Sequence, residues 1–334
     1  MADDPDGDDL DPFQGNPFAN MPLFGDLTRA LAGQGPLNWD AARQFALLSA
    51  SGGGLTAGGA PPAPTPNVDP AVRITYGELS EIAARHVGDV MGREVPPTRP
   101  DVATPEQWAA QTLEAYRPLF VDMATSLGPT EEPESDDPMA QMMAGLSKMM
   151  APAMLGMSVG SMVGNLARRA FGVYDLPIPR STPALVLVPH NIDVFAADWE
   201  IPLDEMRLWV LAHELSGYRV LSIPHLRAEL TDLVRAHVGG FRPDPSAIAD
   251  KLGSADALAG GDDPLQALQQ AFSDPEILLG AVESPAQRAL QPRLDAAVAA
   301  VVGYTDWVVD AVAVRVIGGD ALRIAEAVRR QRSS

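Results

Sequence analysis

The sequence predicts a mainly helical α+β protein with one small sheet and a disordered N-terminal tail. Three observations predict this. Apolar residues recur at helical spacing over most of the chain after residue 38. One run, Ala184–Ile192, is apolar, β-branched and set among prolines, the pattern of a strand. Residues 1–35, by contrast, are rich in Asp, Gly, Pro and Asn and show little periodicity, so they are expected to stay disordered.

The elements follow in order. A helix is predicted over about 38–50. Residues 51–68, SGGGLTAGGAPPAPTPNV, form a Gly-rich and then Pro-rich spacer. Helices follow at about 76–92 and 105–127. The second opens with Thr104 as N-cap, Pro105 at the first position and Glu106-Gln107 in the first turn. Residues 128–138, GPTEEPESDDP, read as an acidic loop.

Residues 139–171 hold eight of the 13 methionines, together with Gly156, Gly160 and Gly164. Small residues at four-residue spacing let a second helix approach closely. The uncharged stretch is short and weakly apolar for a bilayer, so it is read as a buried helix whose methionines fill gaps in the core. The strand is placed at 184–190. Asp204 then caps the next helix, or Asp204 and Glu205 sit in its first turn, where they favour the dipole. Further helices are expected at about 222–238, 244–252, 264–273, 284–314 and 320–332, with a loop at 254–263. Together these give an N-terminal segment, 1–68, and one domain, 69–334, with a helical half over 69–172.

Composition narrows the function. The chain has no cysteine, which excludes disulfides, thiolate catalysis and Cys-ligated zinc, and suits a reducing compartment. Met1–Asp9 is acidic without an apolar h-region, so a cytoplasmic location is expected. A net charge of −20, from 24 basic and 44 acidic residues, repels phosphate backbones. Neither nucleic acid nor membrane is an expected partner. The basic cluster Arg323, Arg329, Arg330 and Arg332 is read as a solvated helix face at a C-terminal dipole end. No phosphate loop, nucleophile elbow or dinucleotide fingerprint is present.

The chemistry concentrates at Trp209–Tyr218, WVLAHELSGY. His213-Glu214-Leu215-Ser216 begins the H-E-x-x-H zinc motif, and Gly217 breaks it. Residues i and i+4 share a helix face, so two histidines at that spacing can hold one zinc and the intervening glutamate can act as general base on its water. Glycine offers no ligand.

The stretch LVPHNIDVFAADWEIPLDEMRLWVLAHELSGYRVLSIPHL (185–226 with its flanks) resembles the zincin-type family of zinc-dependent metalloproteases and hydrolases, some members of which are associated with coenzyme F420 biosynthesis. GPLNWDAARQFA (35–46), LDAAVAAVVGYTDWVVDAVAVRVIG (294–318) and IAEAVRRQR (324–332) are similar to the family's N-terminal, late and closing helices. The resemblance implies a zincin-like fold over 69–334. It also implies a third ligand, a glutamate in the late helix, where this chain has Val302.

With Gly217 and Val302 at two ligand positions, the resemblance implies a degenerate member. His213 is then a vestigial ligand and Glu214 a vestigial general base. No cofactor is expected, and the expected role is a scaffold that binds a protein or peptide by strand addition along 184–190. The alternative is an active zinc-dependent metallopeptidase with rearranged ligands, His213, Glu214 and Asp306. Asp306 and Asp310 follow Val302 at one-turn intervals, and their plain reading is pairing with arginine. His190, His225 and His237 read as a loop residue, a helix start and a helix C-terminus. A metal-free Glu214 is expected to pair with an arginine or histidine, or to face water. Gly217→His with Val302→Glu is the expected repair, and stability is expected to rise at 217 because glycine weakens a helix interior.

Overall fold

The computed structural model of the chain describes residues 35–52, 67–96, 99–128, 138–181, 183–241 and 284–333. The expected tail, most of the spacer, the acidic loop and the helices at 244–252 and 264–273 lie outside the described residues.

Asn38 opens α1 (Trp39–Ala50) by accepting a hydrogen bond from the Ala41 amide, 3.0 Å. The small residues Ala42, Ala46 and Ala50 form the buried face of α1. That face lies against α5 (Pro138–Ala167), where Gly156, Gly160 and Gly164 meet it backbone to backbone. A Cβ on those glycines would stand 2.3 Å from Asn38 O, 2.2 Å from Ala42 O and 2.5 Å from Ala46 O. The glycine stripe therefore does what its spacing suggests. The methionines do not. Among the described side chains of α5, Met149, Met154 and Met157 are half-buried and Met150 and Met162 are exposed, while Val159, Val163 and Ala167 are buried. An interface this close has no room for long side chains.

α2 (Pro70–Met91) starts six residues earlier than the sequence suggests, because Asp69 caps it and Pro70 occupies the first turn. It stops at Gly92, whose φ of +62° is left-handed. The predicted helix 105–127 is two: α3 (Pro105–Ala115) and α4 (Arg117–Ser126). Thr104 and Gln107 form a reciprocal capping box at the start of α3. Pro118, which has no N–H to continue the ladder, lies in the first turn of α4 and accounts for the break.

The strand is shorter than the 184–190 that the sequence suggests. Only Val186–Leu187 (β2) is strand, paired in parallel with Asp101–Val102 (β1) in the register Asp101↔Val186 and Val102↔Leu187. From Pro189 the chain is helical: α6 (Pro189–Asp198) begins with the proline, whose fixed φ suits a first turn, and His190 sits exposed in that turn. The other edge of β2 is also covered, by a bridge from Gly172 to Leu187 and the bond from Val188 N to Phe171 O, 2.8 Å. With both edges occupied by the chain itself, strand addition along 184–190 is ruled out.

α7 (Leu203–Leu221) crosses the core and carries His213 and Glu214. Asp204 and Glu205 occupy its first turn, and Pro202, not Asp204, is the cap residue. α8 (Pro224–Val238) has His225 in its first turn and His237 in its last. α9 (Pro285–Val316) opens with a Ser284–Gln287 capping box and packs on α7, α8 and α2. It is the one described helix long and apolar enough to cross a membrane, yet it carries Asp295, Asp306 and Asp310 and packs against α2, α7, α8 and the closing helix of the chain. α10 (Ala321–Ser333) folds back on α9 after a short 3-10 turn.

Candidate functional site

The site is built around the middle of α7. Glu214 is fully buried and His213 is 5% exposed. Facing them is the turn Phe171–Asp175, whose successive amides point at two carboxylates. Val173 N donates to Glu214 Oε2 at 2.9 Å, and Tyr174 N to Oε1 and Oε2 at 3.1 Å. Phe171 N and Gly172 N donate to Asp175 Oδ2 at 2.6 and 3.1 Å. Glycine is required at 172, because a Cβ there would lie 2.2 Å from Glu214 Cδ. Trp108 fixes the turn from behind, donating from its indole to Gly172 O at 2.9 Å. Glu214 thus takes its partners mainly from the backbone, where the sequence suggested an arginine, a histidine or water.

His213 stacks on Trp209, ring centroids 5.6 Å apart and 8° from parallel. Its Nε2 lies 2.8 Å from a guanidinium nitrogen of Arg332. Arginine only donates, so Nε2 accepts and the ring proton sits on Nδ1. Nδ1 faces Glu214 Oε1 at 3.5 Å and Asp175 Oδ1 at 4.0 Å. Burial lowers the His213 imidazole to about 4, and the Arg332 charge acts in the same direction. Burial pushes the Glu214 carboxyl up to about 8 against the pull of the Tyr174 and Val173 amides. Burial, reinforced by Glu214, also raises Asp175.

Arg332 completes the constellation from α10. Besides His213 it meets Asp306 Oδ1 at 3.3 Å and Asp175 Oδ1 at 3.7 Å. One turn along, Arg329 pairs with Asp310 at 2.7 Å. The arginine-pairing reading of Asp306 and Asp310 therefore describes both. The solvated-face reading of the basic cluster describes Arg330, which pairs with Glu326 on the exposed side, but not Arg332.

Gly217 and Val302 line one cleft of about 80 Å³ with Tyr174, Asp175, His213 and Arg332. Glu214 does not line it. Gly217 lies flat against Tyr174: a Cβ there would stand 2.7 Å from Tyr174 Cβ and 3.1 Å from its Cγ. A histidine at 217 cannot be added without moving Tyr174, so the simple repair fails sterically, and the expected gain in stability at 217 is lost. Sequence reasoning missed Asp175 altogether, since FGVYDLPIPR matches no ligand motif.

The chain belongs to the zincin-like metallopeptidase family, whose model matches residues 37–334. Its fold is similar to that of a solved protein from Chloroflexus aurantiacus described as "a putative hydrolase with a novel fold", at TM-score 0.54 and 22% identity over 89% of this chain and 76% of that one. No curated protein matches the chain.

Zinc is the metal this family implies, and the residues here do not fit it in the expected place. At two of the three positions where the resemblance leads us to expect ligands, Gly217 and Val302, the side chain offers no donor atom. The third, His213 Nε2, directs its lone pair at a guanidinium. Asp175, His213 and Glu214 bring one ligand-type atom each within 4.8 Å of one another. In that group both Glu214 oxygens and one Asp175 oxygen already accept backbone N–H bonds.

Proposed function

We propose that this protein is a zincin-like scaffold that has given up zinc and peptide hydrolysis and now binds a protein or peptide. One observation carries the reading: the guanidinium of Arg332 stands on His213 Nε2, the atom a zinc ion would need. The rest of the site supports it. Glu214, the general base of an active member, lies outside the cleft with both oxygens bonded to amides, so it is not directed at a metal-bound water. A catalytic zinc site keeps three protein ligands as a rule, and one histidine alone binds weakly. What remains is a cleft with Tyr174, Pro177, Leu221 and Val301 in its wall. On another face of α9, Tyr304 and Trp307 are exposed and in ring contact, the residue types that anchor protein partners.

The test is metal analysis of protein purified without an affinity tag, paired with a peptidase assay. Well under one zinc per chain and no hydrolysis is the expected result. One zinc per chain that resists dialysis and has His213 in its coordination shell would overturn the reading.

A second reading has one observation in its favour, the Asp175–His213–Glu214 cluster. In that reading the chain is an active metallopeptidase with rearranged ligands, to which Asp306 contributes. Zinc-dependent hydrolysis abolished by Asp175→Asn would establish it.

A further inference from the structure

A guanidinium already sits in the cleft. The terminal nitrogens of Arg332 are divided between two elements: Nη2 donates to His213 Nε2 on α7 at 2.8 Å, and Nη1 donates to Asp306 Oδ1 on α9 at 3.3 Å. Asp175 Oδ1 adds a negative charge 3.7 Å from Nη2. A planar fork with donors on both prongs suits two acceptors on separate helices, whereas an ammonium is a single point charge. The occupant comes from the last turn of α10, so the chain fills its own cleft.

We propose that this cleft is a recognition site for an arginine side chain, held shut in cis by Arg332, and that a basic segment of a partner protein docks by putting its own arginine there. The proposal deepens the scaffold reading above, and rests on it, by naming the chemistry of the partner.

Four observations support it. The seating of α10 does not depend on Arg332. Ile324, Ala325, Ala327 and Val328 are buried, Arg323 donates to Trp199 O at 2.7 Å and Glu200 O at 2.6 Å, and Arg329 pairs with Asp310. The Arg332 side chain is 31% exposed, so it can swing into solvent while the helix stays docked.

The vacated cleft selects a cation. Asp306 and Asp175, with side chains 22% and 19% exposed, would be left beside a neutral imidazole without a compensating charge, which is unfavourable for partly buried carboxylates. Thr305, 4% exposed, lines the same cleft, and its Oγ1 is buried with no hydrogen-bond partner among the described residues. Such an orphan marks a place for a ligand group, and a guanidinium has N–H donors to spare for it. Tyr174, Pro177, Leu221 and Val301 supply apolar wall for the methylene stem of an arginine. The net charge of −20 draws a basic segment toward the protein before it docks.

The test uses the full chain and three probes: methylguanidinium, N-acetyl-arginine N-methylamide and the matching blocked lysine. Each is titrated by calorimetry against the unaltered protein and Arg332→Ala at one salt concentration. The variant is expected to bind blocked arginine at least about 10-fold more tightly than the unaltered chain, which must first expel its own side chain. It should also prefer both guanidinium probes to blocked lysine by about 10-fold or more. Adding Asp306→Asn removes a charged acceptor and should weaken blocked arginine by about 10-fold. In the unaltered chain, saturating blocked arginine should move the Arg332 Nε–H resonance toward its solvent-exposed position.

Four results would sink the proposal: a folded Arg332→Ala chain that ignores the guanidinium probes, equal binding of arginine and lysine through surface charge alone, equal affinity of variant and unaltered chain, or an Arg332 resonance that stays put. Should Arg332→Ala fail to fold, Arg332→Gln is read against the same outcomes, and loss of fold in both makes Arg332 a structural tie and overturns the proposal. One tightly held zinc per unaltered chain sinks the zinc-free scaffold reading itself. A zinc-free chain that ignores arginine sinks only the arginine site.

Discussion

The α1–α5 contact and the cleft below α7 are both places where glycine sets the distance between two parts of the chain. They do it for different reasons. On α5 the glycines repeat every four residues and face alanines on α1, so the contact is a stripe made of two local patterns. Around α7 the glycines are single: Gly172, behind the cleft, makes room for the Glu214 carboxyl, and Gly217, in its wall, makes room for the Tyr174 ring. The first contact is about packing density, the second about where one polar group is held. A stripe tolerates no side chain anywhere along it, whereas a single close approach depends on whether its one neighbour can give way.

The largest expected effect is at the stripe. Gly160→Leu places its Cβ 2.2 Å from a backbone carbonyl that cannot rotate away. Overpacking of a core costs typically about 1–3 kcal/mol and occasionally more. Here helix must separate from helix, and a loss of about 4 kcal/mol or more is expected, read as a lower denaturant midpoint. A loss under about 1 kcal/mol would mean that α1 is not seated on α5 as described.

Next comes the Glu214 hub. Glu214→Ala leaves the Val173 and Tyr174 amides without acceptors, at about 1–3 kcal/mol for each buried unsatisfied group. The expected loss is about 3 kcal/mol, accompanied by faster amide exchange confined to 171–175. Unchanged exchange there would show that the turn does not depend on α7.

The comparison can also be sharpened by pH. His213 has a folded value near 4 and an ordinary value of 6.5. Between those limits the unfolded chain binds the proton more readily, so folding stability falls as pH falls from 6.5 toward 4 and is retained above. The full difference corresponds to roughly 3 kcal/mol at about 1.4 kcal/mol per unit. Subtracting the pH profile of His213→Gln isolates this contribution from Glu214 and Asp175. Identical profiles for the two proteins would mean that the imidazole is not held neutral against Arg332.

The two regions differ equally in what the sequence revealed. The stripe was legible because glycine at i, i+4 and i+8 is a local pattern with one mechanical meaning, and the Thr104 cap was legible for the same reason. Gly217 and Val302 were readable as a pair only through a family resemblance, and the structure brings them to one cleft. Asp175 and Arg332 were not readable. Asp175 stands alone in its segment, and its position depends on a turn wrapped around a glutamate far along the chain. Arg332 differs from Arg330 only by its angle around α10, which decides between Asp306 and open solvent. α6 was hidden because the apolar, β-branched run Ala184–Ile192 suggests a strand, while Pro189 fixes the start of a helix.

The smallest effects give the cleanest contrast. Gly217 and Gly303 both lie inside long helices, where glycine is about 0.5–1 kcal/mol worse than alanine. At Gly303 nothing stands within 4 Å of an added Cβ, so Gly303→Ala is expected to stabilise the protein by about that amount. At Gly217 the added atom meets Tyr174 Cβ at 2.7 Å, and that Cβ belongs to a residue whose amide is bonded to Glu214. The ring cannot turn aside without shifting its backbone, so the helical gain is offset and Gly217→Ala is expected to destabilise by about 1 kcal/mol. Paired chemical denaturation of the two variants decides it. Opposite signs place the Phe171–Asp175 turn hard against α7. Equal gains would mean that Tyr174 yields freely, and a histidine at 217 would then be sterically open after all.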